Sequence, residues 1–272
     1  MTNTHRASFE RRRVTLRDLY GHESEATWGI AVEAPIQLSI NGAPWTVMLA
    51  TPSDLEDLAV GLALTERVLQ DPAAIARIDV AEYLQDLTVD LVIDEAAIDR
   101  EAQRARSLVS TTACGMCGLE SLAQLQQRRL ERGVQSPQPV TDNAVRVAFN
   151  TLAAHQPVNN ATRSVHAAAW CRMDGDVVLA REDVGRHNAL DKLVGAWSRH
   201  EARNEPGFIV MSSRCSYELV YKAVAANAQL LATISAPTTM ALTWARALGL
   251  PLVSSAGQGR FVRFTPDDRD VD

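Results

Sequence analysis

Phe208-Ile209-Val210-Met211-Ser212-Ser213-Arg214-Cys215-Ser216-Tyr217-Glu218 reads as a short buried strand, a polar turn and the start of a helix. The apolar run ends abruptly at Ser212, and a helical period then carries through Ser216 to Ala226. The same order recurs on both sides. Upstream, Val165 to Arg172 and Val177 to Arg181 form a hairpin across Met173-Asp174-Gly175-Asp176. A helix over Asn188 to Trp197 then sets Leu190, Leu193, Val194 and Trp197 on one face. Downstream, Ala228 to Ile234 reads as a strand, Thr238 to Leu248 as a helix, and Leu250 to Ser254 as a final strand. Alternating helices and strands predict a sheet covered by helices, an α/β domain.

The first third has a different rhythm. Trp28 to Val32 and Ile36 to Ile40 lean towards strand, and Asn41-Gly42 is a strong hairpin signal before the partner strand Trp45 to Ala50. Thr51-Pro52-Ser53-Asp54-Leu55 starts a helix whose stripe includes Leu55, Leu58 and Leu62. Tyr83 to Ile93 alternates like a single strand. Asp142 to Ala154 reads as a helix behind the proline-containing loop Gly133 to Val140. The expected organisation is therefore a mobile segment 1–20, a small α+β domain 21–105 and an α/β domain 106–272, with a soft boundary in the charged stretch Asp94 to Arg106.

A chain of 272 residues with 46% hydrophobic and 22% charged residues has the composition of an ordinary globular protein. Its net charge of -6 argues against nucleic acid as a partner through the whole surface, while leaving room for a local basic pocket. No apolar run approaches the ~20 residues of a membrane span. Arg11-Arg12-Arg13 has no apolar region beside it, so no secretory signal is expected and the compartment is expected to be the reducing cytoplasm. Four cysteines in so long a chain do not make a disulfide scaffold. Cys171 sits in a strand-like run and reads as core; Cys215, at a strand-to-helix turn, is less easily set aside.

Cys114-Gly115-Met116-Cys117-Gly118 stands before the helical run Leu119 to Leu130. A helix N-terminus stabilises a nearby thiolate and lowers a cysteine pKa. On the residues alone four readings stay open: half of a structural zinc site, a thioredoxin-like redox pair, an inert pair, or a persulfide carrier. No second CxxC supplies further zinc ligands, and glycine after each cysteine makes a looser loop than a redox pair. Persulfide chemistry leads, because a glycine-rich loop can carry a nucleophilic thiol from donor to acceptor.

Three further stretches fall at strand-to-helix turns. Arg181-Glu182-Asp183-Val184-Gly185-Arg186-His187-Asn188-Ala189-Leu190-Asp191-Lys192 is dense in ionisable groups. It reads either as a capped helix with local ion pairs or as an anion site at a helix start. Ser213-Arg214 suits a phosphate, against the plain alternative of a serine cap with a surface arginine. Ser235-Ala236-Pro237-Thr238 repeats the geometry. Together they predict a nucleotide-like pocket along one sheet edge, although neither GxGxxG nor a P-loop is present.

These residues, with Thr51-Pro52-Ser53-Asp54-Leu55-Glu56-Asp57-Leu58-Ala59-Val60-Gly61, Ser216-Tyr217-Glu218 and Lys222, resemble the FdhD family of formate dehydrogenase accessory sulfurtransferases from about Glu33 to Thr265. The resemblance implies a small N-terminal α+β domain followed by a cytidine-deaminase-like α/β domain, without the zinc motif of deamination. It implies that Cys114, assisted by Cys117, takes persulfide sulfur from a cysteine desulfurase. The sulfur passes to a molybdenum bis-guanine-dinucleotide cofactor destined for formate dehydrogenase or a related molybdoenzyme, with the carrier a homodimer. The implied cofactor-binding set is Arg186, His187, Ser213, Arg214, Ser235, Thr238 and the segment Ser255, Ala256, Gly257, Gln258, Gly259 and Arg260. The alternatives are a non-catalytic molybdenum-cofactor chaperone and a CxxC dithiol oxidoreductase.

Overall fold

The computed structural model describes residues 7–83, 86–109 and 138–265. Strands β1 (Phe9–Arg17) and β2 (Glu23–Ala31) pair as an antiparallel ribbon around the turn Asp18 to His22. Asp18 organises that turn by accepting from the Tyr20 and His22 amides. The segment expected to be a mobile terminus thus contains a strand. Its three arginines conceal it in the sequence, because it is held by pairing with β2 and not by an apolar face of its own. The base of the ribbon rests on a short helix, with Arg163 stacked 5.7 Å over the Trp28 ring.

The second sheet has the order β4-β3-β6-β5, from β3 (Ala34–Ile40), β4 (Ala43–Ala50), β5 (Ile75–Tyr83) and β6 (Asp86–Ile93). Asn41 and Gly42 turn the β3–β4 hairpin with φ of 51° and 77°, the positive values that Asn-Gly tolerates. The single strand expected over Tyr83 to Ile93 is the second arm of an antiparallel pair that begins at Ile75. Ile36, Leu38, Ile40, Leu87, Val89 and Leu91 form the inner face, covered by α1 (Leu55–Thr65). The charged stretch Asp94 to Arg106 folds into a short 3-10 turn and the start of α2 (Arg100–Val109).

Helix α1 is buried nearly all round because its far side meets a second layer. That layer contains α3 (Asp142–Thr151), α4 (Pro157–Thr162), β7 (His166–Arg172), β8 (Val177–Asp183) and α5 (Arg186–Ser198). It continues through β9 (Gly207–Met211), α6 (Tyr217–Ala225), β10 (Leu231–Thr233), α7 (Thr239–Ala247), β11 (Leu252–Gly257) and β12 (Arg260–Phe264). The sheet order is β12-β11-β10-β9-β7-β8, with β9, β10 and β11 parallel. Helices α5, α6 and α7 pack on one face through Leu190, Leu193, Leu219, Val220 and Ala241. Helix α3 covers the other through Val145 and Ala148. Strand β12 was not expected from the sequence, and β10 is shorter than Ala228 to Ile234.

Two glycines let α1 and α5 touch backbone to backbone. A Cβ on Gly61 would overlap the carbonyl oxygen of Asp191, and one on Gly195 would overlap that of Asp57. Polar groups then lock the seam. Thr51 uses all three of its hydrogen-bonding groups: its amide donates to Asp183 Oδ2 (2.9 Å), its hydroxyl accepts from the Val184 amide (3.1 Å) and its carbonyl accepts from Lys192 Nζ (2.9 Å). Lys222 Nζ reaches Asp191 Oδ1 at 2.7 Å and Thr65 Oγ1 at 2.9 Å. Among the described residues no helix is long and apolar enough to cross a membrane.

Candidate functional site at the carboxyl edge of the large sheet

Strands β8, β9, β10 and β11 all end on one side of the large sheet, and the antiparallel β7 and β12 begin there. In open α/β sheets ligands bind outside the carboxyl ends of the strands. That edge gathers every site residue expected from the sequence that falls among the described residues. Arg186 and His187 open α5; Ser213 and Arg214 follow β9; Ser235 and Thr238 follow β10; Ser255 to Arg260 run from the end of β11 through the Gln258-Gly259 turn to the first residue of β12. Cys114 and Cys117 lie outside the described residues.

Hydrogen bonds join successive turns into one rim. The Ser235 amide donates to the Ser213 carbonyl (3.3 Å), and the Thr238 amide to the Cys215 carbonyl (3.0 Å). Ser254 Oγ donates to the Ser235 carbonyl at 3.2 Å. Ser213 is buried, its hydroxyl turned onto the Arg214 carbonyl, so its side chain supports the turn while Arg214 is exposed. Gly257, Gln258 and Gly259 all have positive φ, making a tight hairpin tip in place of a helix start. Ala256 to Arg260 are exposed there.

The three helix starts differ. Thr238 caps α7 by accepting from the Ala241 amide at 3.2 Å. Removing that cap in Thr238→Ala should lower stability by about 1 kcal/mol, read from the urea midpoint at unchanged slope. No side chain caps α5 or α6. Ser216 stands at the N-cap of α6, yet its hydroxyl lies 3.3 Å from His187 Nε2, so the simple serine-cap reading fails here. Arg186 Nε is shielded from solvent and has no hydrogen-bond partner. Arg186, Arg214 and Arg260 carry no ion pair among the described residues, so the rim is locally cationic in a chain of net charge -6. Such groups suit anionic oxygens.

His187 Nε2 lies 2.7 Å from Glu218 Oε2. Burial alone would raise the Glu218 carboxyl. The hydrogen bond from His187, with the charges of His187, Lys222 and Arg186, instead holds it below the usual carboxylate value. His166, at the start of β7, is pushed below the usual imidazole value by burial and then by Arg186 and His187; Asp183 opposes and Arg214 adds to the effect. The pairing of Glu218 with His187 was not legible as a site feature, because it joins the first turns of two different helices.

The Arg181–Lys192 stretch divides in two. Asp183 and Lys192 are fully buried and paired at 2.7 Å. Arg181 bonds Asp57 at 2.7 Å, and Asn188 donates to the Leu49 carbonyl at 2.8 Å. Glu182 accepts from the Val158 and Asn159 amides at the start of α4. Asp183, Lys192, Arg181 and Asn188 fasten the two layers together, Glu182 ties β8 to α4 within the second layer, and Arg186 and His187 remain at the rim. Cys171 and Cys215 are both buried, and burial pushes each thiol up to about 12, which closes them to thiolate chemistry near neutral pH.

Known proteins match this chain over most of its length. The model of the FdhD/NarQ family matches residues 31–270. The sulfur carrier protein FdhD of Variovorax paradoxus (strain S110) is 44% identical over 223 residues, 82% of this chain and 80% of that protein. The protein of the same name from Chromobacterium violaceum is 44% identical over 237 residues, covering 87% of this chain and 88% of its own. A solved structure, of a protein assigned as a formate dehydrogenase accessory protein in Desulfotalea psychrophila, superposes with a TM-score of 0.72 at 18% identity. It covers 97% of this chain and 100% of its own, and shows that the fold is shared. With a family match spanning most of the chain and relatives at this identity, the chain belongs to the FdhD/NarQ family.

Proposed function

We propose that the chain is a sulfur carrier that takes persulfide sulfur from a cysteine desulfurase onto Cys114, with Cys117 assisting. It would pass that sulfur to a molybdenum bis-guanine-dinucleotide substrate held at the sheet edge, for use by formate dehydrogenase or a related molybdoenzyme. The names of the relatives support sulfur carriage. One observation carries the acceptor half: a rim with two uncapped helix starts, at α5 and α6, and arginines without an ion pair among the described residues, in which the buried Arg186 Nε lacks a hydrogen-bond partner. From β8 to β12 that rim spans five strand spacings, roughly 24 Å at about 4.8 Å each. This length suits an extended, multiply charged nucleotide better than a single phosphate. With Cys171 and Cys215 buried, the reactive thiols are assigned to the CxxC. The carrier is taken to work as a homodimer in the cytoplasm.

Mass spectrometry after incubation with desulfurase and cysteine tests the donor half. The wild type should gain one sulfur atom, and the double variant Cys114→Ala, Cys117→Ala should gain none. Normal loading of the double variant overturns the proposal. Nucleotide binding without any loading would favour a non-catalytic cofactor chaperone. For the acceptor half, Arg214→Ala should weaken guanosine diphosphate binding by about tenfold or more, as expected for one lost charge-assisted contact. Unchanged affinity in a titration would remove Arg214 from the site.

A further inference from the structure

We infer that a second binding site, for a small organic anion, lies at the edge of the molecule opposite the rim. A cavity of about 440 Å³ opens there between the carboxyl ends of α1, α5 and α6, within the size range of small-molecule pockets. Helix α5 begins at the rim with Arg186 and ends at Ser198, which lines the cavity. Roughly 18 Å of helix therefore separates the two places, at about 1.5 Å per residue. Leu64, Pro72, Val194 and Val224 give the cavity an apolar wall. Trp197 adds a fixed one, its ring stacked on Trp170 at 4.3 Å and on His200 at 5.2 Å.

The charge of the lining points to an anion. Arg67 and Arg203 line the cavity and no described aspartate or glutamate does, in a chain with 33 acidic and 27 basic residues. Neither arginine has an ion pair among the described residues. Helix carboxyl ends attract cations, so the plain reading is that these arginines neutralise the ends of α1 and α5. That reading predicts side-chain bonds to the last helix carbonyls. Arg67 Nη2 instead reaches the Gln70 side chain, at 3.4 Å, and no hydrogen bond joins the Arg203 guanidinium to a described residue.

The backbone at Arg67 gives a second, independent reason. Its φ is 61°, in the left-handed region where a residue other than glycine is strained. Asn227, beyond the end of α6 on the same cavity, has φ of 58°, which asparagine tolerates. The other arginine with such a φ, Arg163, is put to use, stacked over Trp28. Arg67 has no aromatic partner of that kind among the described residues, and its side chain lines the cavity. Strain of this sort persists at ligand clamps, where the side chain is needed. Two guanidinium forks suit a carboxylate or phosphate, and the apolar wall suits the body that carries it. The ligand class is therefore a small carboxylate or phosphate on an aromatic or aliphatic body.

Phenyl phosphate is the probe, with phenol as the same body without the charge. Both are titrated calorimetrically into the full chain in a phosphate-free buffer. Phenol should bind at least about tenfold more weakly. Arg203→Ala should weaken phenyl phosphate binding by about tenfold or more, as expected for one lost charge-assisted contact. Arg67→Gly should weaken it similarly and yet raise the thermal midpoint, because glycine takes a φ of 61° without strain. A merely structural Arg67 would lose binding together with stability. Arg214→Ala, at the rim, should retain the binding that the other two variants lose. Unchanged affinity in both Arg67→Gly and Arg203→Ala, or a loss confined to Arg214→Ala, overturns the second site. Equal binding of phenol, or no binding of phenyl phosphate by the wild type, overturns it as well.

Discussion

Lys192→Met should lower the free energy of unfolding by about 3–5 kcal/mol, the usual cost of removing one partner from a buried ion pair. Both Lys192 and Asp183 are 0% exposed, so the stranded carboxylate has no water to turn to. It keeps hydrogen bonds from the Gly185 and Thr51 amides and from Asn188 Nδ2, but loses the one cation that pairs with it among the described residues, at 2.7 Å. The Thr51 carbonyl loses its donor as well. Native domains are stable by about 5–15 kcal/mol in total, so the variant should be close to unfolding at 37 °C. Pairing the change with Asp183→Asn should cost less than the sum of the two single changes, because no lone buried charge remains. Urea titrations of all four proteins check this. Simple additivity, or a single-variant loss under about 1 kcal/mol, would show that the pair is not coupled as its geometry requires.

Gly61→Ala and Gly195→Ala should each destabilise the protein, although glycine to alanine inside a helix ordinarily stabilises it by about 1 kcal/mol. The reversal follows from the backbone contact between α1 and α5. Each new methyl meets a carbonyl oxygen of the facing helix, and a carbonyl cannot rotate aside as a side chain would. Overpacking of this kind costs about 1–3 kcal/mol, occasionally more. Here the helices cannot separate freely, because Arg181 and Arg199 hold Asp57 and the Thr65 hydroxyl holds Asp191 across the same seam. Thermal unfolding should show a lower midpoint for both variants. A higher midpoint for either would mean that the two helices do not approach as described.

The strand–turn–helix rhythm of the large sheet was readable because each turn breaks an apolar run with serine, arginine or proline. Once the strands are known to be parallel, those turns must share an edge, so the rim around Arg186, Arg214 and Thr238 followed from pattern alone. The sequence could not separate rim from seam. Asp183, Asp191 and Lys192 look as chemical as Arg186 and His187, but their partners Thr51 and Thr65 lie 126 to 141 residues away along the chain. Local reading has no access to such distances. Strand β1 was missed for a related reason: its stability is in its pairing with β2, and its outward arginines carry no apolar period. The cysteines that opened the chemistry of this chain remain assigned from Cys114-Gly115-Met116-Cys117 itself and from the burial of Cys171 and Cys215.

The triple use of Thr51 also sets a schedule for synthesis. Its partners Asp183 and Lys192 leave the ribosome more than 130 residues later. At about 5–20 residues per second that is a wait of roughly 7 to 30 s. Throughout it, helix α1 has one face on its own sheet and the other, carrying Gly61 and Asp57, without the helix it is shaped to meet. The nascent chain therefore presents a sticky half-protein for many seconds, and its yield in a cell should depend on chaperone supply more than the stability of the finished fold would imply.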